Sequence, residues 1–256
     1  MTKIRLLLTL TILIIYSLTI TGQYPFEKFP AVQYKDFEDW KIYDRIDKEK
    51  KVHLTMTIPQ FYDNKDSLTI QLTSFMTNKW TTDSSFIRIY RNKILQQKIF
   101  EPMFFNDLNI GSEPIRIADI NGDKLMDLKL TAWYMGNGTA SMNVRRIYLF
   151  QNIDNRFKKI SFVDKLGGDD RLERDFDGDG NNEIITMNLI GFEGHSYWLF
   201  NLYNYVNGEL VNVNDKDNYP IMIQFLYRDN YEISNKISRE KMKDFTLKFP
   251  NDYDKK

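Results

Sequence analysis

The chain has no cysteine and only two histidines, His53 and His195, among 256 residues. Disulfides, thiolate chemistry and cysteine-based zinc sites are therefore excluded, and so is a multi-histidine metal centre. It also lacks an excess of either charge, with Lys plus Arg and Asp plus Glu at 35 each. No global field draws it to nucleic acid or to an anionic membrane. Glycine and proline are sparse, at 12 and 7, which rules out collagenous and low-complexity chains. There is no Gly-rich phosphate loop, no His-Glu-x-x-His and no Gly-x-Ser-x-Gly. Aromatic residues, by contrast, are abundant: they make up 14% of the chain, with 18 Phe and 15 Tyr. That composition suits strands better than helices.

Residues 1–22 read MTKIRLLLTLTILIIYSLTITG. Lys3 and Arg5 precede an apolar run from Leu6 to Ile20, and Gly22 stands before a polar stretch, the layout of a secretory signal peptide. The run is shorter than the ~20 residues that a spanning helix needs. The expectation is cleavage after Gly22, a secreted or periplasmic protein starting at Gln23, and no stable membrane insertion. Without a cysteine after the run it is not a lipoprotein. Loss of Lys3 and Arg5 leaves two more acids than bases.

Residues 23–35 hold two prolines and no clear periodicity, so they read as a leader. From there to residue 250 short alternating segments dominate, among them VHLTMTI (52–58), SLTIQL (67–72), FIRIY (86–90), RRIYLF (145–150) and SYWLF (196–200). Apolar residues at period two predict half-buried strands, and turn residues at Asn92-Lys93, Asp154-Asn155 and Asn207-Gly208 predict hairpins. Helix is expected only near Ser234–Asp244, with Ser234 or Ser238 as cap. The fold class is all-β and mostly antiparallel, one domain over 36–250 with a polar tail at 251–256. Strand, loop, strand, turn, strand recurs in units of about 52–105, 115–165 and 172–227, as in propeller-like repeats.

Two acidic loops stand in register with this repeat. Asp119-Ile-Asn121-Gly-Asp123-Lys-Leu125-Met-Asp127 precedes the first strand of the second unit, and Asp175-Phe-Asp177-Gly-Asp179-Gly-Asn181-Asn-Glu183 that of the third. Oxygen-bearing side chains fall at positions 1, 3, 5 and 9 of both. Ca²⁺ takes six to eight oxygen ligands, carboxylates among them, and such a curl supplies them with help from a position-7 carbonyl. Gly122, Gly178 and Gly180 allow the positive φ that the curl requires. One or two Ca²⁺ ions are therefore expected. The second loop is the better site, since it has four acids against three, and Gly180 where the first has Lys124. The matching stretch of the first unit, Pro59–Ser67, keeps a turn but not the acids.

These loops resemble the D-x-[DN]-x-D-G-x-x-D calcium loops of FG-GAP/VCBS repeats, found in integrin-type β-propellers and many exported bacterial proteins. The resemblance implies ligands at Asp119, Asn121, Asp123, Leu125 (carbonyl) and Asp127, and at Asp175, Asp177, Asp179, Asn181 (carbonyl) and Glu183. The chain departs from the family in lacking the Phe-Gly…Gly-Ala-Pro signature, in Lys124 and in Glu183. The pattern is also similar to that of small exported proteins, some of which inhibit, or give immunity to, peptidoglycan-cleaving enzymes.

No catalytic set assembles. His195 and Ser196 are chain neighbours and cannot hold base and nucleophile in the required geometry. The expectation is a non-catalytic calcium-binding module with a protein or cell-envelope glycan partner. Recognition would lie on loops at 73–85, 135–144 and 190–196, with Trp80, Trp133, Phe192 and Tyr197 as candidate aromatic anchors. The alternatives are a periplasmic inhibitor or immunity protein, and a calcium-dependent polysaccharide hydrolase or lyase.

Overall fold

Period-two alternation places apolar side chains on one face of each strand, and burying those faces on one another organises the molecule. The computed structural model describes residues 25–46, 51–76, 82–103, 105, 108–109, 111–165, 171–225 and 236–256. The expected signal segment, Trp80 and Ser234 lie outside them. The fold is all-β and antiparallel, in three sheets among the described residues. A short strand, β1 (Lys35–Phe37), comes first and belongs to the second sheet. The first sheet is a meander of β2 (Lys41–Ile46), β3 (Lys51–Ile58), β4 (Leu68–Met76), β5 (Thr82–Arg91) and β6 (Ile94–Glu101). The second adds β7 (Leu108–Asn109), β8 (Ile115–Ala118), β9 (Asp127–Tyr134), β10 (Asn143–Gln151) and β11 (Phe157–Lys165). The third holds β12 (Ile184–Phe192), β13 (His195–Val206), β14 (Glu209–Asn212) and β15 (Ile221–Gln224). A last strand, β16 (Asn251–Lys255), returns to pair with β11.

The second sheet is the middle layer. Leu128, Leu130, Ala132, Ile147 and Leu149 on one of its faces pack against Leu54, Ile70, Leu72, Ile87 and Ile89 of the first sheet. Tyr148, Phe150, Ile160 and Phe162 on the other pack against Ile184, Tyr203 and Leu210 of the third. Burial on both faces explains why β9 and β10 are buried along nearly their whole lengths, a pattern more usual for sheets covered on both sides. Glu101 and Asp164, caught there, are paired with cations, because an unpaired buried charge is costly. Glu101 receives Arg145 at 2.9 Å and Lys159 at 2.7 Å, while Asp164 receives Arg171 at 2.6 Å.

Both ends of the chain differ from the sequence expectation. The segment read as a leader contributes Phe26 to the outer face of the third sheet, beside Phe200 and Trp198, and Val32 to the layer between the second and third. The segment read as a polar tail is β16, because β11 offers an unpaired edge that backbone hydrogen bonds fill whatever the side chains. The helix is one short turn, α1 (Arg239–Lys243), and Ser238 Oγ caps it by accepting from Lys241 N at 3.2 Å. Among the described residues no helix is long and apolar enough to cross a membrane.

Candidate metal centre

The two acidic loops adopt one hydrogen-bonded frame. The first carboxylate accepts from the fourth and sixth amides: Asp119 from Gly122 (2.8 Å) and Lys124 (2.9 Å), Asp175 from Gly178 (2.7 Å) and Gly180 (3.0 Å). The third side chain accepts from the fifth amide, Asn121 from Asp123 at 3.3 Å and Asp177 from Asp179 at 3.4 Å. The fifth accepts from the seventh amide at 2.8 Å in both, Asp123 from Leu125 and Asp179 from Asn181. The ninth closes back on the second amide: Asp127 accepts from Ile120 at 2.9 Å and Glu183 from Phe176 at 2.7 Å. Positive φ falls at the fourth and sixth positions of each, at Gly122, Lys124, Gly178 and Gly180. Lys124 therefore takes the same left-handed conformation as its glycine counterpart. The second residue of each loop, Ile120 or Phe176, is a buried anchor. Their apolar character between two oxygen-bearing residues was the available signal, and the sequence reading placed the anchors only at the loop exits.

The loops also touch. Asn182 of the second donates to the Ile120 carbonyl of the first through both N and Nδ2, at 2.9 Å each. Beside them a cleft of about 390 Å³ is lined by Val32, Tyr34, Asp119, Met126 and Asn182.

Their carboxylates nevertheless behave differently. Ligand oxygens of Asp175, Asp177 and Glu183 all lie within 4.8 Å of one another, the only such grouping of three acids, histidines or cysteines among the described residues. Onto this cluster reaches Lys216, from the 3₁₀ turn Asn214–Asp217 that follows β14. Its Nζ lies 2.5 Å from Asp177, 3.0 Å from Glu183 and 3.4 Å from Asp179. Partial burial opposes the Lys216 charge, but hydrogen bonds to Asp177 and Glu183 outweigh it and raise its pKa. The same contact lowers that of Asp177. Burial raises Glu183. Nothing in the local sequence marks Lys216, because it arrives from 33 residues beyond Glu183.

The first loop is not assembled in this way. Asp127 is wholly buried, and its oxygens accept from two amides, Ile120 and Gln151, at 2.9 Å each. Burial, with added repulsion from Asp123 and Asp119, pushes its carboxyl up to about 7. Asn121 Nδ2 is turned toward Asp123, 3.0 Å from its Oδ2. At the second loop three carboxylates cluster as a hard cation requires, with the Lys216 ammonium seated among them, and the buried Oδ1 of Asn181 has no hydrogen-bond partner. Asn181 Nδ2 donates to the Tyr205 carbonyl at 3.2 Å, which leaves that oxygen as the free end of the amide.

The expected recognition loops are partly something else. Residues 73–76 and 82–85 belong to β4 and β5. Residues 191–196 form a tight hairpin, with Gly191 opposite Ser196, Phe192 opposite His195, and positive φ at Glu193 and Gly194. Glu-Gly is a two-residue turn here, and β12 and β13 run up to it. Tyr197 is buried against Leu199, Met222 and Met242. Phe192 packs edge-to-face on Phe245, and Trp133 Nε1 donates to Glu113 at 2.7 Å. These aromatics hold the fold together rather than standing free as anchors. His195 is exposed, 3.3 Å from Gln224. The 135–144 stretch holds an exposed 3₁₀ turn, Gly138–Met142.

No family model matches the chain, and no curated protein or solved structure does either.

Proposed function

We propose that the protein is an exported calcium-binding β module, akin to FG-GAP/VCBS repeat proteins, that binds a protein or cell-envelope glycan partner and catalyses nothing. The observation that carries the calcium reading is the clustering of Asp175, Asp177 and Glu183 within 4.8 Å inside a loop curled by its own backbone amides. A bound Ca²⁺ would take the place of the Lys216 ammonium among these carboxylates. Asp175, Asp177, Asp179, Glu183 and the backbone carbonyl of Asn181 would hold it. The same loop joins the second and third layers, with Phe176 seated in the outer core and Ile184 in the layer between. The ion's role is therefore structural, tying the entry of the third sheet to its neighbour.

A ligand bound only by the folded state adds about 2.7 kcal/mol at one hundred times its Kd. Extracellular calcium modules bind at about 10⁻⁴–10⁻³ M, so millimolar calcium gives a smaller, measurable gain. Chelation is expected to lower the melting temperature, and a melting curve indifferent to calcium and chelator would overturn the reading. Residues 135–141, the exposed part of the expected 135–144 loop, are the part of the expected recognition surface that supports partner binding best.

A further inference from the structure

The outward face of the first sheet carries an arrangement that the packing of the core does not require. Leu54, Met56, Leu68, Ile70, Leu72, Ile87 and Ile89 point inward, so the alternate residues point out. Strand register lines these up in rows across the sheet. One row runs Phe100, Phe86, Thr73, His53, with Asp44 next in register. The next runs Lys98, Arg88, Gln71, Thr55, Lys41. A third runs Leu95, Tyr90, Thr69, Thr57. Cations therefore stand at both ends of the middle row, four strand spacings or about 19 Å apart. Asp44, at the end of the first row, is the one acidic residue of these rows.

The cations and rings are organised together. Lys98 Nζ lies 3.7 Å from the centroid of the Phe86 ring, and the Arg88 guanidinium 5.7 Å from it. Phe86 meets Phe100 edge-to-face at 5.9 Å, and Phe100 is 41% exposed. Arg88 also donates to Thr73 at 2.6 Å, and Tyr90 to Gln71 at 3.2 Å. Between Arg88 and Lys41 the floor is Gln71 and Thr55, while Thr73 and the Thr55 hydroxyl are themselves buried.

We propose that this face binds an acidic polysaccharide, a glycan chain bearing carboxylates, laid across the strands along the middle row. Lys98, Arg88 and Lys41 pair with its carboxylates, Thr57, Thr69 and Gln71 meet its hydroxyls, and Phe100 and Tyr90 offer ring surfaces to its C–H faces. Charge complementarity selects an anion. The mixture of hydroxyl, amide and ring surface selects sugar over polypeptide, since β3, β4 and β5 already pair on both edges and leave a peptide no backbone to join. The proposal gives the binding reading above a partner class. It uses a different surface from the calcium loop and the 135–144 loop, so either can fail without the other.

The test is affinity electrophoresis and calorimetry of the full chain with polygalacturonate at low salt. Neutral dextran, poly-glutamate and phosphatidylglycerol vesicles run alongside. Polygalacturonate is expected to bind and to weaken as salt rises. Lys98→Glu and Lys41→Glu should each weaken it about fivefold or more, and Phe100→Ala severalfold, with melting temperatures near that of the parent. Dextran should not bind. Absence of polygalacturonate binding, or variants that bind as well as the parent, would overturn the proposal. So would poly-glutamate or the vesicles binding as tightly as the polysaccharide, which would reduce the face to a general anion or membrane surface.

Discussion

Gly122 and Gly180 meet so closely that a Cβ placed on Gly122 would stand 2.4 Å from the Gly180 carbonyl oxygen. Two loops that begin at residues 119 and 175 are therefore in backbone contact, and Asn182 bonds across the seam. Both glycines have positive φ, but only at Gly122 is the space on the Cβ side also taken.

Gly122→Ala is expected to cost more than Gly178→Ala. Gly178 has positive φ with nothing within 4 Å of a Cβ, so alanine there meets only backbone strain of about 1–2 kcal/mol. At Gly122 the same strain is joined by overpacking against a backbone that cannot rotate away, for about 3 kcal/mol or more in all. Chemical denaturation of the two variants measures the difference. Equal losses would mean that the loops are not in contact.

Lys216→Met separates the resident ammonium from the ion proposed for the same carboxylates. Without calcium the variant should melt below the parent, since Asp177, Asp179 and Glu183 lose their common partner. Calcium should then bind more tightly to the variant, because it no longer competes with Nζ. Calorimetric titration reads both sites, and unchanged affinity would show that Lys216 and calcium do not share the cluster.

Asp127 and Asp177 should part company in their calcium dependence. Asp127 holds the amides of Ile120 and Gln151 in a fully buried setting, so Asp127→Ala strands two donors and costs about 2–4 kcal/mol with or without calcium. Asp177 accepts its cation at the surface, and Asp177→Ala should mainly erase the calcium-dependent part of the melting temperature. A calcium response lost in Asp127→Ala but kept in Asp177→Ala would reverse the ranking of the loops.

Acid should unfold the protein partly through Glu173. Burial works against its charge, but Lys129 at 2.9 Å and the hydroxyls of Tyr148 and Tyr34 outweigh it and hold the carboxyl at about 2. A depressed carboxylate stabilises above its unfolded pKa of about 4.3, and that contribution is lost as pH falls toward 2, about 3 kcal/mol in all. Glu173→Gln should be less stable at neutral pH, where Lys129 loses its partner, and should flatten the stability curve between about pH 4.3 and 2. An acid limb of unchanged slope would assign the loss to other carboxylates.

The strands of the first sheet were readable because VHLTMTI, SLTIQL and FIRIY alternate cleanly, and the last of these runs to Asn92 and Lys93, both with positive φ. The hairpin at Glu193-Gly194 was missed because Gly191 and Gly194 made the stretch read as loop, although strand pairing extends to the turn itself. β16 was missed because Asn-Asp-Tyr-Asp-Lys has no apolar face, and its place is set by the free edge of β11. Phe26 and Val32 looked like an entry segment, since one residue at a time carries no period.

For the candidate site, sequence alone determined the curl. Acids at alternate positions, glycines at the bends and an apolar second residue produce the same five hydrogen bonds in both loops, because every partner lies within nine residues. Tertiary structure decided which loop gathers its charges. Lys216 comes to Asp177 and Glu183 from beyond β14, while burial pushes the Asp127 carboxyl up to about 7 even though the Gln151 amide of β10 donates to it. The local pattern sets where oxygens point, but the charge a carboxylate keeps depends on what the rest of the chain packs around it.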